Sequence, residues 1–399
     1  MQYQRYAGID IASQRHVVAI INPACEVLVK PTPFGEDALG YQKLFALLGD
    51  PTDILVAMEA TGHYGQNLFS SLAERRFPVA LLNPLRTRRF AQADLTRAKN
   101  DSIDALGIAR FAAQKRLEPT PPVDQERVEL REMVRLLDRF TQDHGDRLRQ
   151  LHRQVDLGFP EFTQLVRTME SHRATSILAA YPTATAFTEP CFRKLASLRY
   201  DGSHRVGPQL ARALIDAASI SVGRHHGLPN RTAVQYLCED IARLRVKVEE
   251  LRAEIERRVG ELPVAALLTT IEGLGAVGAA RIIAAVGDPA RLRSGASLAA
   301  YVGVVPGDRQ SGLVSLRRAS LSPIGNPRLR RSLFMTTLGA VRRNPWLGAY
   351  YQRLRAKGKP PKLALIATLR KLLVAVYSVA KHRRPFVPRL SSANDVPSQ

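Results

Sequence analysis

The chain has 399 residues, more than one ordinary hydrophobic core supports, so two or more domains are expected. Its 58 Lys and Arg against 36 Asp and Glu leave a formal charge of +22, which calls for a polyanionic partner. Cys25, Cys191 and Cys238 are too far apart for a disulfide framework or a metal motif. The best apolar run, 363–380, is broken by Arg370 and Lys371, and no secretory h-region opens the chain. A cytoplasmic, nucleoid-associated protein that stays off membranes is therefore expected.

Strands are predicted at 6–11, 16–21 and 26–32, with turn chemistry at Asn22-Pro23. A helix follows over 37–48. Then ILVAMEA at 54–60 reads as a buried central strand ending in a carboxylate. A helix at 65–75, a strand at 78–82, a helix after Asn83-Pro84 and one from Asp101 complete the unit. Three strands followed by alternating helices and strands make a mixed, helix-flanked sheet. The order fits an α/β RNase H-like fold over residues 1–120, with Asp10 and Glu59 at adjacent strand positions.

Residues 121–262 turn helical. Leu137, Thr141, His144, Leu148, Leu151 and Val155 recur at alternating steps of four and three. Val234, Leu237, Ile241, Leu244, Val248, Leu251 and Ile255 keep a cleaner heptad seam. These coiled-coil arms are expected to pair as an antiparallel hairpin or to mediate self-association. Residues 157–230 between them read as a small helical insertion. A mostly α C-terminal domain spans 263–387, followed by a polar tail, 388–399, expected to be disordered. The segment 271–278, IEGLGAVG, resembles a helix-hairpin-helix. Gly273 and Gly275 there would permit a tight turn and let backbone amides face a phosphate, although an ordinary αα-turn has the same pattern. Residues 306–331, dense in Ser, Arg and Gly, read as a phosphate-facing loop.

Four carboxylates carry the chemical argument: Asp10, Glu59, Asp101 and Asp104. Asp10 lies in the apolar strand GIDIA, where an unpaired carboxylate is costly. Asp101 and Asp104, three apart at a helix start, project from one face; helix capping is the plainer use of such a pair. Oxygen donors are what Mg²⁺ prefers, and two ions about 3.5–4 Å apart can clamp both oxygens of a phosphodiester displacement.

The blocks Gly8-Ile9-Asp10-Ile11-Ala12, Glu59-Ala60-Thr61-Gly62 and Lys99-Asn100-Asp101-Ser102-Ile103-Asp104-Ala105 resemble, in that order, those of the DEDD transposases of bacterial insertion sequences, the IS one-ten family. Residues 271–287, 299–306, 310–312 and 321–331 resemble the family's second domain, so the likeness covers nearly the whole chain. The middle insertion is longer than in short members. The resemblance implies a RuvC-like catalytic domain whose four carboxylates bind Mg²⁺. It also implies a serine nucleophile, here Ser311 in Gln310-Ser311-Gly312, that takes the broken strand as a phosphoserine. A bridge RNA as guide, donor and target DNA, and a dimeric or tetrameric assembly are implied as well. By chemistry alone Ser315, Ser320 and Ser322 compete with Ser311. Gly312 would let backbone approach phosphate, and Arg309, Arg317 and Arg318 would stabilise transition-state charge. Arg86, Arg88, Arg89, Arg97, Arg328, Arg330, Arg331, Lys359, Lys362 and the run 381–384 are candidate nucleic-acid contacts. A hydrolytic, structure-selective endonuclease and a catalytically silent nucleic-acid-binding protein are the alternatives. Intact carboxylates and Ser311 count against the second, and Gln310-Ser311-Gly312 against the first.

Overall fold

The computed structural model describes residues 3–59, 63–84, 87, 101–120, 125–305, 310, 311, 314, 315 and 324–388; the side chains of 101–103, 310, 311, 314 and 315 lie outside that description. The chain divides into two compact units, Met1–Val123 and Asp124–Gln399.

The first unit is built on strands β1 (Arg5–Asp10), β2 (Arg15–Ile21), β3 (Val27–Gly35), β4 (Ile54–Glu59) and β5 (Val79–Leu82), in spatial order β3-β2-β1-β4-β5. β1 pairs antiparallel with β2 and parallel with β4, and β4 pairs parallel with β5. The continuous apolar runs of β1 and β4 suit their central places, because both of their faces are covered. Helices α1 (Ala38–Leu48) and α2 (Gln66–Glu74) cover one face, burying Ile9, Val18, Ile20, Val56 and Met58 with Leu44, Leu48, Leu68 and Leu72. Helix α3 (Asp101–Lys115) covers the other, where Tyr6, Leu55, Ala57, Ala80 and Leu82 meet Ile108, Phe111 and Ala112. Asp37 caps α1, its Oδ1 accepting the Gly40 amide at 2.7 Å. The helix expected after Asn83-Pro84 lies mostly outside the described residues.

In the second unit, α4 (Gln125–Gly158) and α9 (Leu228–Glu261), 34 residues each, pack along one another within the chain. Arg258 bonds Glu129 at 2.5 Å while Arg147 meets Asp240 at 3.2 Å, so the pair runs antiparallel. At about 1.5 Å per residue each helix spans ~50 Å. A separate core sits at each end. Leu151, Val155, Val234, Leu237 and Ile241 pack against the insertion, whose helices α5 (Phe162–Leu165), α6 (His172–Ala180), α7 (Phe192–Ser197) and α8 (Pro208–Ser219) contribute Phe162, Ile177, Leu195 and Leu214. At the other end Leu130, Val134, Leu137, Val248, Ile255 and Val259 join the C-terminal helices α10 (Pro263–Thr269), α11 (Gly275–Val286), α12 (Gly295–Val302), α13 (Pro327–Arg343), α14 (Pro345–Ala356) and α15 (Pro361–His382). The arms and the C-terminal helices thus share one core.

Helix α15 is long and apolar enough to cross a membrane, at mean hydropathy 1.8, and Arg370 and Lys371 do not interrupt it. Its apolar face is spent elsewhere: Leu369, Leu372, Leu373 and Val376 are fully buried in the core with Leu298 and Ala299.

Candidate active site

Asp10 and Glu59 close adjacent parallel strands. The register pairs Gly8 with Ala57 and Ile9 with Met58, so the next position in each strand is the carboxylate. Side chains alternate across a sheet. Ile9 and Met58 face α1 and α2, whereas Tyr6, Leu55 and Ala57 face α3. Asp10 and Glu59 fall in the second set, on the side of the helix that carries Asp101 and Asp104. Both are half-buried.

The approach of that helix is unusually close. A Cβ added to Gly8 would lie 2.2 Å from the Ala105 carbonyl oxygen and 2.4 Å from the Ala109 nitrogen, so only glycine lets α3 touch β1 there. Ala105 follows Asp104, and Gly8 lies two residues before Asp10. Asp104 is half-buried, one turn before the core residue Ile108. The side chain of Asp101 lies outside the described residues. Among the described residues no three acidic, His or Cys side chains gather closely enough to hold a metal.

Thr87, which sequence reasoning passed over, donates its hydroxyl to Glu59 Oε1 and is itself buried. Its only signal was its place just beyond the β5 strand end, among Arg86, Arg88 and Arg89. Those arginines, Arg97, Arg309, Arg317 and Arg318 lie outside the described residues.

Ser311 belongs to a two-stranded ladder in which β6 (Gln310–Ser311) pairs antiparallel with β7 (Val314–Ser315), Ser311 opposite Val314. The described residues that flank this stretch, 301–303 and 325–330, are tied to one another. The Asn326 amide donates to the Tyr301 carbonyl at 2.9 Å. Gly303 and Gly325, both at positive φ, approach so closely that a Cβ on Gly325 would lie 2.6 Å from the Gly303 Cα. Arg330 donates from Nη1 to the Gly303 carbonyl at 3.0 Å, so this predicted phosphate contact has an internal bond.

Gly273 (φ +86°) makes the predicted tight turn between α10 and α11, yet a Cβ there would meet the Ala340 Cα at 2.5 Å. Its glycine character serves packing against α13. Gly275 (φ +63°) has open space around it. Arg328, Arg331, Met335, Leu338 and Arg342 form one exposed stripe along α13, a helix without an acidic residue. Lys359, Lys362 and residues 381–384 are also exposed, with Arg383 paired to Asp288.

Residues 7–160 match a transposase family model of the DEDD, IS110 type, and residues 265–352 match the model described as Transposase IS116/IS110/IS902 family; together they take in more than half of the chain. The chain is similar to an insertion element IS110 uncharacterized 43.6 kDa protein of Streptomyces coelicolor, 26% identical over 396 residues and covering 94% of each chain. It also resembles the pilin gene-inverting protein of Moraxella bovis, 24% identical across 96% of this chain and 98% of the relative. An insertion element IS900 uncharacterized 42 kDa protein of Mycobacterium paratuberculosis is 25% identical, covering 97% of this chain and 98% of its own. With the two models falling in order, the first over the mixed α/β unit and on through α4 and the second over the C-terminal helices, the chain belongs to the IS110 family of insertion-sequence transposases.

Proposed function

We propose that the chain cuts and rejoins DNA, with Asp10, Glu59, Asp101 and Asp104 binding Mg²⁺ at an RNase H-like centre and Ser311 of the second unit serving as the nucleophile. The observation that carries the reading is the shared face of Asp10 and Glu59, at neighbouring strand ends beneath the helix bearing the other two aspartates. The donor set is all carboxylate oxygen, which fits a hard divalent cation. When bound, such an ion would stabilise the charge that builds on the phosphate oxygens. Thr87 holds one Glu59 oxygen in place.

The serine step makes one P–O bond and breaks one. Ser311 Oγ attacks the scissile phosphorus, giving up its proton, while the bridging sugar oxygen leaves and takes a proton up. A DNA hydroxyl later attacks the phosphoserine and releases Ser311, so the bond energy is conserved through strand exchange. Gly303, Gly325 and Arg330 fix where the stretch bearing Ser311 leaves and rejoins the second unit, which suits a nucleophile that must be presented from one place. The gene-inverting relative supports rejoining rather than cutting alone. The acid-free stripe on α13 suits phosphate contacts, and the charge of +22 suits donor and target DNA together with a guide RNA, on a homo-oligomer.

The test is a reaction stopped in denaturant. DNA should remain covalently attached to the wild-type protein, with mass spectrometry placing the link at Ser311, and Ser311→Ala should abolish it. An adduct at another residue overturns the nucleophile, and strand cleavage without any adduct favours a hydrolytic nuclease.

A further inference from the structure

We propose that His16 and Glu36 are positioning residues that fix the backbone immediately after Asp10 and so set the site's affinity for a divalent cation. The inference rests on the reading that Asp10 and Glu59 are metal ligands.

β1 ends at Asp10, and residues 11–14 belong to no strand or helix before β2 begins at Arg15. A carboxylate that must share an ion with its neighbour has to be held to about 0.5 Å. Three ties hold this turn. The Ala12 amide donates to His16 Nδ1 at 3.3 Å, and the Glu36 amide donates to the Gln14 carbonyl at 3.1 Å. Ile11 packs at the start of α2, where a Cβ on its N-cap Gly65 would stand 2.6 Å from the Ile11 Cδ1.

His16 is completely buried, with its ring centroid 5.1 Å from that of Phe34. A polar ring in such a place is costly unless both nitrogens are used. Because Nδ1 accepts the Ala12 proton, the ring's proton sits on Nε2, which lies 2.6 Å from Glu36 Oε2. Glu36 also accepts the Tyr41 hydroxyl at 2.8 Å and the Asn67 amide at 3.2 Å. Burial opposes charge on Glu36, but the bonds from His16, Tyr41 and Asn67 hold its carboxyl below the usual range.

Asn67 belongs to α2, the helix that follows the strand carrying Glu59. One carboxylate, Glu36, therefore ties the turn after Asp10 to the helix after Glu59 and to α1 through Tyr41. The bond to Ala12 satisfies the buried ring and by the same contact fixes the backbone two residues after Asp10. Groups bonded directly to a metal ligand change metal affinity by about 10–100-fold when removed, and a tie that acts through the ligand's backbone belongs at the lower end of that range.

The test uses the full chain and Mn²⁺ binding followed by the paramagnetic resonance of the free ion, which needs no DNA and no turnover. In His16→Gln an amide nitrogen replaces Nε2 and can still reach Glu36, but no acceptor stands at the Nδ1 position. Its Mn²⁺ dissociation constant should rise on the order of tenfold. His16→Asn keeps an oxygen near Nδ1 and should recover part of that loss. Asn67→Ala removes an exposed member of the network, keeps the fold, and should weaken Mn²⁺ binding by a smaller factor. Unchanged Mn²⁺ affinity in a folded His16→Gln, or in Asn67→Ala should His16→Gln fail to fold, overturns the positioning role while leaving the carboxylate centre standing. Unchanged Mn²⁺ binding by Asp10→Asn would sink the centre itself.

Discussion

At the scale of single residues, the site is set by two atoms' worth of space at Gly8 and by charge at Asp10. Gly8→Ala puts a methyl group into the backbone of α3 rather than against a side chain that can turn aside. Overpacking typically costs about 1–3 kcal/mol, and here the upper end or beyond is expected. Chemical denaturation should show a lower midpoint with unchanged slope; an unaltered midpoint would mean that α3 does not approach β1 as described. Asp10→Asn keeps shape and removes a ligand, so strand cleavage should vanish while circular dichroism and nucleic-acid binding persist, and chelation should mimic it. Retained cleavage would exclude Asp10 from the centre. Cys238, the buried cysteine of α9, has its thiol pushed up to about 12 by burial, with Glu239 adding to the effect. Only the thiolate reacts readily, so peptide mapping should find Cys238 unlabelled until the chain unfolds. The carboxylates were legible as residue types in a telling order. Thr87, His16 and Glu36 were not, because hydrogen bonds between residues 20 or 28 positions apart leave no periodic trace.

At the scale of elements, the heptad seam of α9 is occupied within the chain. Val234, Leu237, Ile241, Val248 and Ile255 are buried against α4 and the two cores at its ends, and Leu244 and Leu251 are half-buried. Leu244→Asp with Leu251→Asp should therefore lower the melting temperature whatever the oligomeric state, because carboxylates in an apolar seam go unpaired. An unchanged melting temperature would contradict the packing. The same helix pair carries a pH signature. Hydrogen bonds from Arg257 and Arg258 hold the Glu254 carboxyl at about 2, against an ordinary 4.5, and Arg258 also lowers Glu129 across the pair. A depressed folded value means that this stabilisation is complete above the ordinary value and is lost as pH falls from about 4.5 toward 2. Arg258→Gln should flatten the acid limb of the stability curve in that window, with no change near neutrality beyond the small loss of exposed ion pairs. Strand and helix periods are local, so most elements were legible. The choice between an internal hairpin and self-association was not, since a heptad looks the same whether its partner is the same chain or another copy.

At the scale of the whole molecule, the excess of positive charge predicts nucleic-acid binding that weakens steeply with salt, because each phosphate neutralised releases counterions. Arg331→Ala with Arg342→Ala, on the exposed stripe of α13, should lessen that salt slope; an identical slope would take the stripe out of the interface. RNA transcribed from the DNA flanking the gene should be required for recombination, and changing its pairing bases should redirect the target. Equal activity without it would leave a protein-read recombinase. Composition and pattern by themselves determined the polyanionic partner, the order of strands and helices, and the carboxylates that close two of those strands. All of these follow from charge and from periods of 2 and about 3.6 that are written locally. Only the tertiary structure decided that Asp10 and Glu59 share a face, that Gly8 admits α3, that Gly273 packs on Ala340, and that Arg330 binds the Gly303 carbonyl. Those outcomes depend on register and on how closely segments distant in the chain approach one another, and neither quantity is encoded in the identity of any one residue.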